Sequence, residues 1–73
     1  MKELREIIHN ASLTKTQQMI AEYILDNSAD ACFMTSTEIA AKLGVSESSV
    51  IRFSRSLGFS GFMDFQKSLR KDY

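Results

Sequence analysis

The sequence predicts an all-α domain of five to six short helices. Three observations support this fold class. Apolar residues recur at helical spacing along most of the chain. The 73 residues include no proline and only three glycines, a composition that favours helices joined by short turns. No segment alternates apolar and polar residues over the length of a strand. A chain of this length makes one domain, residues 1–73.

The first part of the chain predicts three helical segments. Apolar residues at helical spacing predict a short amphipathic helix over residues 2–10. This helix either contacts a second copy of the chain or closes the domain's own core. Thr14 and Gln17 form a capping box, which predicts a helix from residue 15 to about residue 27. Asp30 can then cap a single helical turn.

Residues 35–57 carry the pattern of two helices that cross at a tight turn. Thr35 and Glu38 form a second capping box at the start of the first helix. Gly44 ends this helix, because glycine adopts the left-handed backbone conformation without a Cβ clash. Ser46 can cap the second helix. The pattern predicts a non-winged, homeodomain-like helix-turn-helix, a motif that binds DNA.

Apolar and small residues lie where these two helices must approach each other. A small residue one turn before the glycine leaves room for the second helix, and an apolar residue after the glycine fills the corner. Two apolar residues spaced i, i+3 on the second helix face the core. The predicted structural residues of the turn are Ala40, Gly44, Val45, Val50 and Phe53.

One more helix is expected after residue 57. Gly58 provides a C-terminal stop, and Ser60 can cap the last helix. Phe62, Phe65 and Leu69 then form one apolar face. The helical spacing of Phe59, Phe62 and Phe65 favours core packing over stacking on single-stranded bases.

The formal net charge of zero conceals an uneven distribution. Residues 1–41 hold three basic and six acidic residues (−3), whereas residues 42–73 hold six basic and three acidic residues (+3). A positive second half suits a phosphate-binding surface. Lys67, Arg70 and Lys71 form a basic cluster near the end of the last predicted helix. They either flank a phosphate backbone or are ordinary cations at a helix C-terminus.

The polar face of the second helix is the candidate DNA-binding surface. Arg52 can donate two hydrogen bonds to guanine O6 and N7 in the major groove, or it can pair with a nearby glutamate. Arg55 fits a phosphate contact. Glu47 either accepts from cytosine N4 or complements the helix dipole. Ile51 either touches a thymine methyl or packs on the last helix. The candidate DNA-binding residues are Ser46, Glu47, Ser48, Ser49, Arg52, Arg55 and Ser56.

Catalysis and metal binding find little support. One histidine and one cysteine cannot fill a tetrahedral metal site, and no glycine-rich phosphate loop is present. We therefore expect neither an enzyme nor a cofactor. Cys32 lies in an apolar run and is predicted to be a buried, reduced thiol. No apolar stretch is long enough to span a membrane, so no membrane partner and a cytoplasmic location are expected.

From residue 13 to residue 69 the chain resembles the N-terminal domain of RpiR-type transcriptional regulators, which respond to phosphosugars. The matching blocks are LTKTQQMIAEYILDN and FMTSTEIAAKLGVSESSVIRFSRSLGFSGFMDFQKSL. Generic helix-turn-helix domains do not share the LGF-x-GF-x-DF continuation. Ser48, Ser49, Arg52 and Arg55 match the family's recognition-helix residues. Ser56 departs from the family, because a basic residue is frequent at that position.

The resemblance implies a bacterial DNA-binding head that forms a homodimer and recognises inverted repeats in operator DNA. In such regulators a sugar isomerase domain follows and binds the phosphosugar effector, and that domain is not among these 73 residues. We therefore expect sequence-specific binding to double-stranded DNA as the N-terminal head of a transcriptional regulator of sugar or phosphosugar metabolism. The alternative is a helical protein-interaction or dimerisation module without DNA readout.

Overall fold

The computed structural model of the chain describes the backbone of residues 2–72 and the side chains of residues 4–71. This part of the chain is all-helical and contains no strand, which confirms the predicted fold class. No helix in it is long and apolar enough to cross a membrane. The elements are α1 (Lys2–Asn10), α2 (Lys15–Asp26), α3 (Ser28–Ala31), α4 (Ser36–Leu43), α5 (Glu47–Ser56) and α6 (Phe62–Asp72).

Both predicted capping boxes are present. The Thr14 hydroxyl accepts from the Gln17 backbone N–H at 3.2 Å, and the Gln17 side chain accepts from the Thr14 N–H at 3.0 Å. Thr35 and Glu38 make the same reciprocal pair at 3.1 and 2.9 Å. Each box satisfies two N–H groups that have no partner inside the helix, so α2 and α4 begin where the sequence predicts.

The predicted cap of the short third helix is wrong. Asp30 lies inside α3, and Asn27 is the residue that precedes this helix. The Asn27 side-chain amide donates to the Tyr23 carbonyl at 2.9 Å, and the Ser28 hydroxyl donates to the Ile24 carbonyl at 3.1 Å. Because these bonds satisfy the last carbonyls of α2, α3 follows it after a single residue.

The predicted cap of the last helix is also wrong. α6 begins at Phe62, and the Gly61 carbonyl accepts the first helical hydrogen bond, from the Phe65 N–H at 3.2 Å. Ser60 lies one residue earlier and donates instead of accepting. Its N–H and hydroxyl lie 3.2 and 3.4 Å from the Asp64 carboxylate. The Asp64 carboxylate in the first turn of α6 therefore accepts from Ser60, and the serine hydroxyl is a donor to this carboxylate instead of a cap.

One hydrophobic core joins the helices. Phe53 of α5 and Phe65 of α6 are fully buried, and their rings meet edge to face with centroids 5.4 Å apart. Leu4 and Ile8 of α1 are buried in the same core, because α1 packs against α6. Of the two roles considered for this helix, closing the domain's own core is the one observed. Cys32 is buried, as predicted.

Candidate nucleic-acid interface

The turn between α4 and α5 has the expected glycine geometry. Gly44 has φ 70° and ψ 30°, the left-handed conformation. The Val45 N–H donates to the Ala40 carbonyl at 3.0 Å, and the Gly44 N–H donates to the Ala41 carbonyl at 3.4 Å. This pair of bonds is a Schellman motif, which satisfies the last carbonyls of α4. Ala40 is buried and Val45 packs against the core.

Both ends of α5 are held by local hydrogen bonds. Ser46 caps its start, since its hydroxyl accepts from the Ser49 N–H at 3.2 Å. The hydroxyls of these two serines also pair, at 2.9 Å. At the other end, Gly58 has φ 97° and forms a second Schellman motif. The Gly58 N–H donates to the Arg55 carbonyl, and the Phe59 N–H donates to the Ser54 carbonyl. The polar face of α5 is therefore presented by a helix with two defined ends.

α5 has a core-facing side and a solvent-facing side. Val50 and Phe53 are fully buried. Ile51 is half-buried and lines a groove with Phe62 and Met63 at the start of α6, which favours its packing role over contact with a thymine methyl. Ser49 is half-buried. The exposed candidates are Ser46, Glu47, Ser48, Arg52, Arg55 and Ser56.

The two arginines of α5 differ in their surroundings. Arg52 is exposed and has no hydrogen bond or ion pair with any residue that the structure describes, so neither Glu47 nor Glu38 neutralises it. The Nε of Arg55 donates to the Ser60 carbonyl at 3.4 Å, which ties this side chain loosely to the loop before α6. Arg52 is thus free to bond a ligand through its whole guanidinium group.

Glu47, the first residue of α5, is bonded to the start of α4. Its Oε2 atom accepts from the Ser36 hydroxyl at 2.9 Å and from the Thr37 hydroxyl at 3.0 Å. Ser36 and Thr37 are not among the residues predicted from the sequence. Their only signal is a run of hydroxyl residues at a helix start, which does not identify a partner ten or eleven residues away.

Ser56, at the last position of α5, is bonded to α2. The Gln17 side-chain amide donates to the Ser56 hydroxyl at 3.1 Å. Gln17 is also the capping-box residue of α2, so this bond brings the start of α2 beside the end of α5. Ser56 therefore makes an interhelical hydrogen bond.

The basic cluster of α6 separates into two kinds of residue. The Arg70 Nε donates to the Cys32 carbonyl at 2.8 Å, and its guanidinium carbon lies 5.7 Å from the centre of the Phe33 ring. Lys67 and Lys71 are exposed, and neither bonds another described residue. Arg70 therefore has a structural role in addition to its charge.

The sequence analysis also missed Gln66, one turn before Arg70. This buried side-chain amide donates to the Ala31 carbonyl at 3.0 Å and to the Met34 carbonyl. Together the two side chains bind three carbonyls of the connection between α3 and α4. Since Thr35 caps α4 immediately after Met34, α6 helps to set where the helix-turn-helix begins.

The described residues contain little that supports catalysis or metal binding. Between residues 4 and 71, no group of three His, Cys, Asp or Glu side chains is placed to hold a metal ion. Burial raises the pKa of the Cys32 thiol above its ordinary value, and the nearby Arg70 charge opposes this increase only in part. A raised pKa leaves less of the nucleophilic thiolate.

Comparisons with known proteins agree with this geometry. A family model described as the helix-turn-helix domain of the rpiR family matches residues 2–73. The chain is 36% identical over 59 residues to an uncharacterised HTH-type transcriptional regulator of Clostridium perfringens, covering 81% of this chain and 21% of the relative. It is 39% identical over 57 residues to an uncharacterised HTH-type transcriptional regulator from the aarA 3′ region of Providencia stuartii, covering 78% of this chain and 20% of the relative. The chain thus spans about a fifth of the length of these curated relatives.

Proposed function

The chain belongs to the rpiR family of helix-turn-helix domains, and from this premise we propose that it binds double-stranded DNA sequence-specifically as the head of a transcriptional regulator. The observation that carries the proposal is the guanidinium of Arg52, which is exposed and bonds no other described residue, on a helix whose opposite face is buried. Such a helix can lie in the major groove, where arginine donates two hydrogen bonds to guanine O6 and N7.

The rest of the exposed face supports the same orientation. Ser48 is small and exposed near the start of α5, which allows the helix to approach a base edge or a phosphate closely. Arg55 lies one turn beyond Arg52, and its terminal nitrogens are free to bind a phosphate. The proposed division of roles is base contact by Arg52 and backbone contact by Arg55.

For the whole protein we propose a homodimer that binds an inverted-repeat operator. A symmetric dimer places two recognition helices roughly 34–36 Å, or a multiple of this distance, apart along the DNA. Residues 1–73 are proposed to be one DNA-binding domain of a bacterial, cytoplasmic regulator of sugar or phosphosugar metabolism. The effector then acts through a separate sugar isomerase domain, as the resemblance to RpiR-type regulators implies.

A protein-interaction module without DNA readout is the competing function. Phe33 and Met63 favour it, since they are 78% and 75% exposed. Large exposed apolar side chains are a feature of interaction surfaces. Binding of the chain to random duplex DNA at several salt concentrations separates the two functions. We expect log K to fall steeply with log salt, because phosphate contacts release counterions. An affinity that does not change with salt would contradict DNA binding.

Arg52→Ala tests the base contact once selection from random duplexes has identified a preferred site. We expect specific affinity to fall by about 1–3 kcal/mol and the preference for guanine to disappear at one position. Lys42→Ala is the matched control. It also removes one positive charge, but Lys42 lies on α4 and lines a cavity with Tyr23 and Phe33 that no residue of α5 lines. Unchanged site selectivity in Arg52→Ala would remove Arg52 from the set of base-reading residues.

A further inference from the structure

We propose that Glu47 is a specificity-determining residue whose carboxylate accepts a hydrogen bond from the N4 amino group of cytosine in the major groove. This inference rests on the proposed DNA-binding function. It assigns one base type to the start of the recognition helix, where the glutamate precedes Ser48 and lies less than two turns before Arg52.

The two oxygen atoms of the carboxylate have different surroundings. Oε2 accepts from the Ser36 and Thr37 hydroxyls at 2.9 and 3.0 Å, which joins the first residue of α5 to the first two residues of α4. Oε1 has no hydrogen-bond partner among the described residues. The side chain is exposed. One oxygen is thus held by the protein, and the other is available as an acceptor at the solvent-facing start of the helix.

The two hydroxyl bonds give this acceptor a defined position. An exposed glutamate normally samples several rotamers, and ordering it on binding costs conformational entropy. Here part of this order exists before binding, because two donors from another helix bind the same oxygen. A preorganised group of this kind loses less free energy when it binds.

A held carboxylate also discriminates against the wrong bases. Guanine O6 and N7 and thymine O4 are acceptors at the major-groove edge, and each repels a negative charge. Adenine presents its N6 amino donor beside its own N7 acceptor, whereas cytosine itself presents only the N4 amino donor. Because Glu47 must break two hydrogen bonds to swing aside, we infer that it selects cytosine partly by repelling the alternatives.

Glu47→Gln separates this role from a purely structural one. Glutamine keeps an oxygen that can accept from Ser36 and Thr37, but it removes the charge and adds an amide donor. The two proteins are used to select sites from random duplexes. We expect wild type to select cytosine at one position per recognition helix, by about fivefold or more over other bases. The variant should lose this preference and shift toward adenine, because a glutamine amide can bond adenine N6 and N7. It should also bind random DNA more tightly, because a negative charge near the phosphates is removed.

Glu38→Gln is the matched control. It makes the same charge change at the first turn of α4, and its side chain can still accept from the Thr35 N–H, as Glu38 does at 2.9 Å. We expect this variant to keep the cytosine preference. The same cytosine preference in Glu47→Gln and wild type would overturn the inference and leave the proposed function intact. Failure of the wild type to bind DNA would instead contradict the proposed function.

A double variant, Ser36→Ala with Thr37→Val, tests whether the hydroxyls position the carboxylate. It keeps the charge of Glu47 and the Thr35 capping box but removes both donors. We expect a weaker cytosine preference with an unchanged helix content. Selection identical to that of the wild type would show that the hydroxyls have no part in base choice.

Discussion

Substitution of Gly44 by serine should destabilise the domain, and the whole cost should come from the backbone conformation at this position. Gly44 has φ 70° and ψ 30°, and a Cβ added to it would meet no heavy atom within 4 Å. Steric crowding with the rest of the protein therefore contributes nothing. The left-handed conformation itself costs a residue with a Cβ about 1–2 kcal/mol.

The unfolded chain offsets part of this cost. A residue with a side chain has less backbone freedom than glycine when unfolded, which favours the folded state by about 0.4–1 kcal/mol. The net loss is then about 1 kcal/mol. For a domain of this size such a loss lowers the melting temperature by about 4–8 °C. Thermal unfolding followed by circular dichroism measures it directly.

Gly61→Ser is the matched control, because the same side chain is added in equally open space. Gly61 also has no heavy atom within 4 Å of an added Cβ, but its φ is not positive. We expect this variant to melt at or above the wild-type temperature, since serine at the start of α6 can also act as an N-cap. If Gly44→Ser melts no lower than Gly61→Ser, the left-handed turn does not have the energetic role assigned to it.

Two further predictions concern the packing of α6 against the connection before α4. Arg70→Ala removes the hydrogen bond to the Cys32 carbonyl and should lower the free energy of unfolding by about 1 kcal/mol. The control Lys71→Ala should change it by less than about 0.5 kcal/mol. Equal melting temperatures of the two variants would contradict the structural role of Arg70. Cys32 should react with iodoacetamide at pH 8 more slowly than an unstructured cysteine peptide, because burial raises its pKa and blocks access. The two rates should converge in denaturant, and an equal rate in buffer would show that the thiol is accessible.

Local sequence predicted most of the helix boundaries because the interactions that define them span only a few residues. The two capping boxes and the Ser46 cap each join residues three positions apart. The left-handed turn at Gly44 depends mainly on the absence of a Cβ. The two wrong caps, at Asp30 and Ser60, are cases in which the helix begins at another residue, since Asp30 lies inside α3, and Ser60 donates to Asp64 and is separated by Gly61 from the start of α6.

The interhelical contacts of the candidate site were beyond local reasoning. Gln17 and Ser56 are 39 residues apart, Gln66 and Ala31 are 35 apart, and Arg70 and Cys32 are 38 apart. No periodicity or capping rule links residues at such separations. Their partners are decided by the angle and register at which the helices pack around Phe53 and Phe65, and many polar residues compete for each exposed position.

By itself the sequence determined that this chain is a helical domain with a tight turn at Gly44 and a polar helix face that carries Arg52 and Arg55. Only the tertiary structure decided what each polar side chain on that face bonds. It left Arg52 without a bond to any other described residue, bonded Ser56 to Gln17, and fixed one oxygen of Glu47 against Ser36 and Thr37. The physical reason is the range of the interactions. Helix formation depends on neighbours within about one turn along the chain. The hydrogen bonds of a surface side chain depend on which other helix the tertiary packing places within about 3 Å of it.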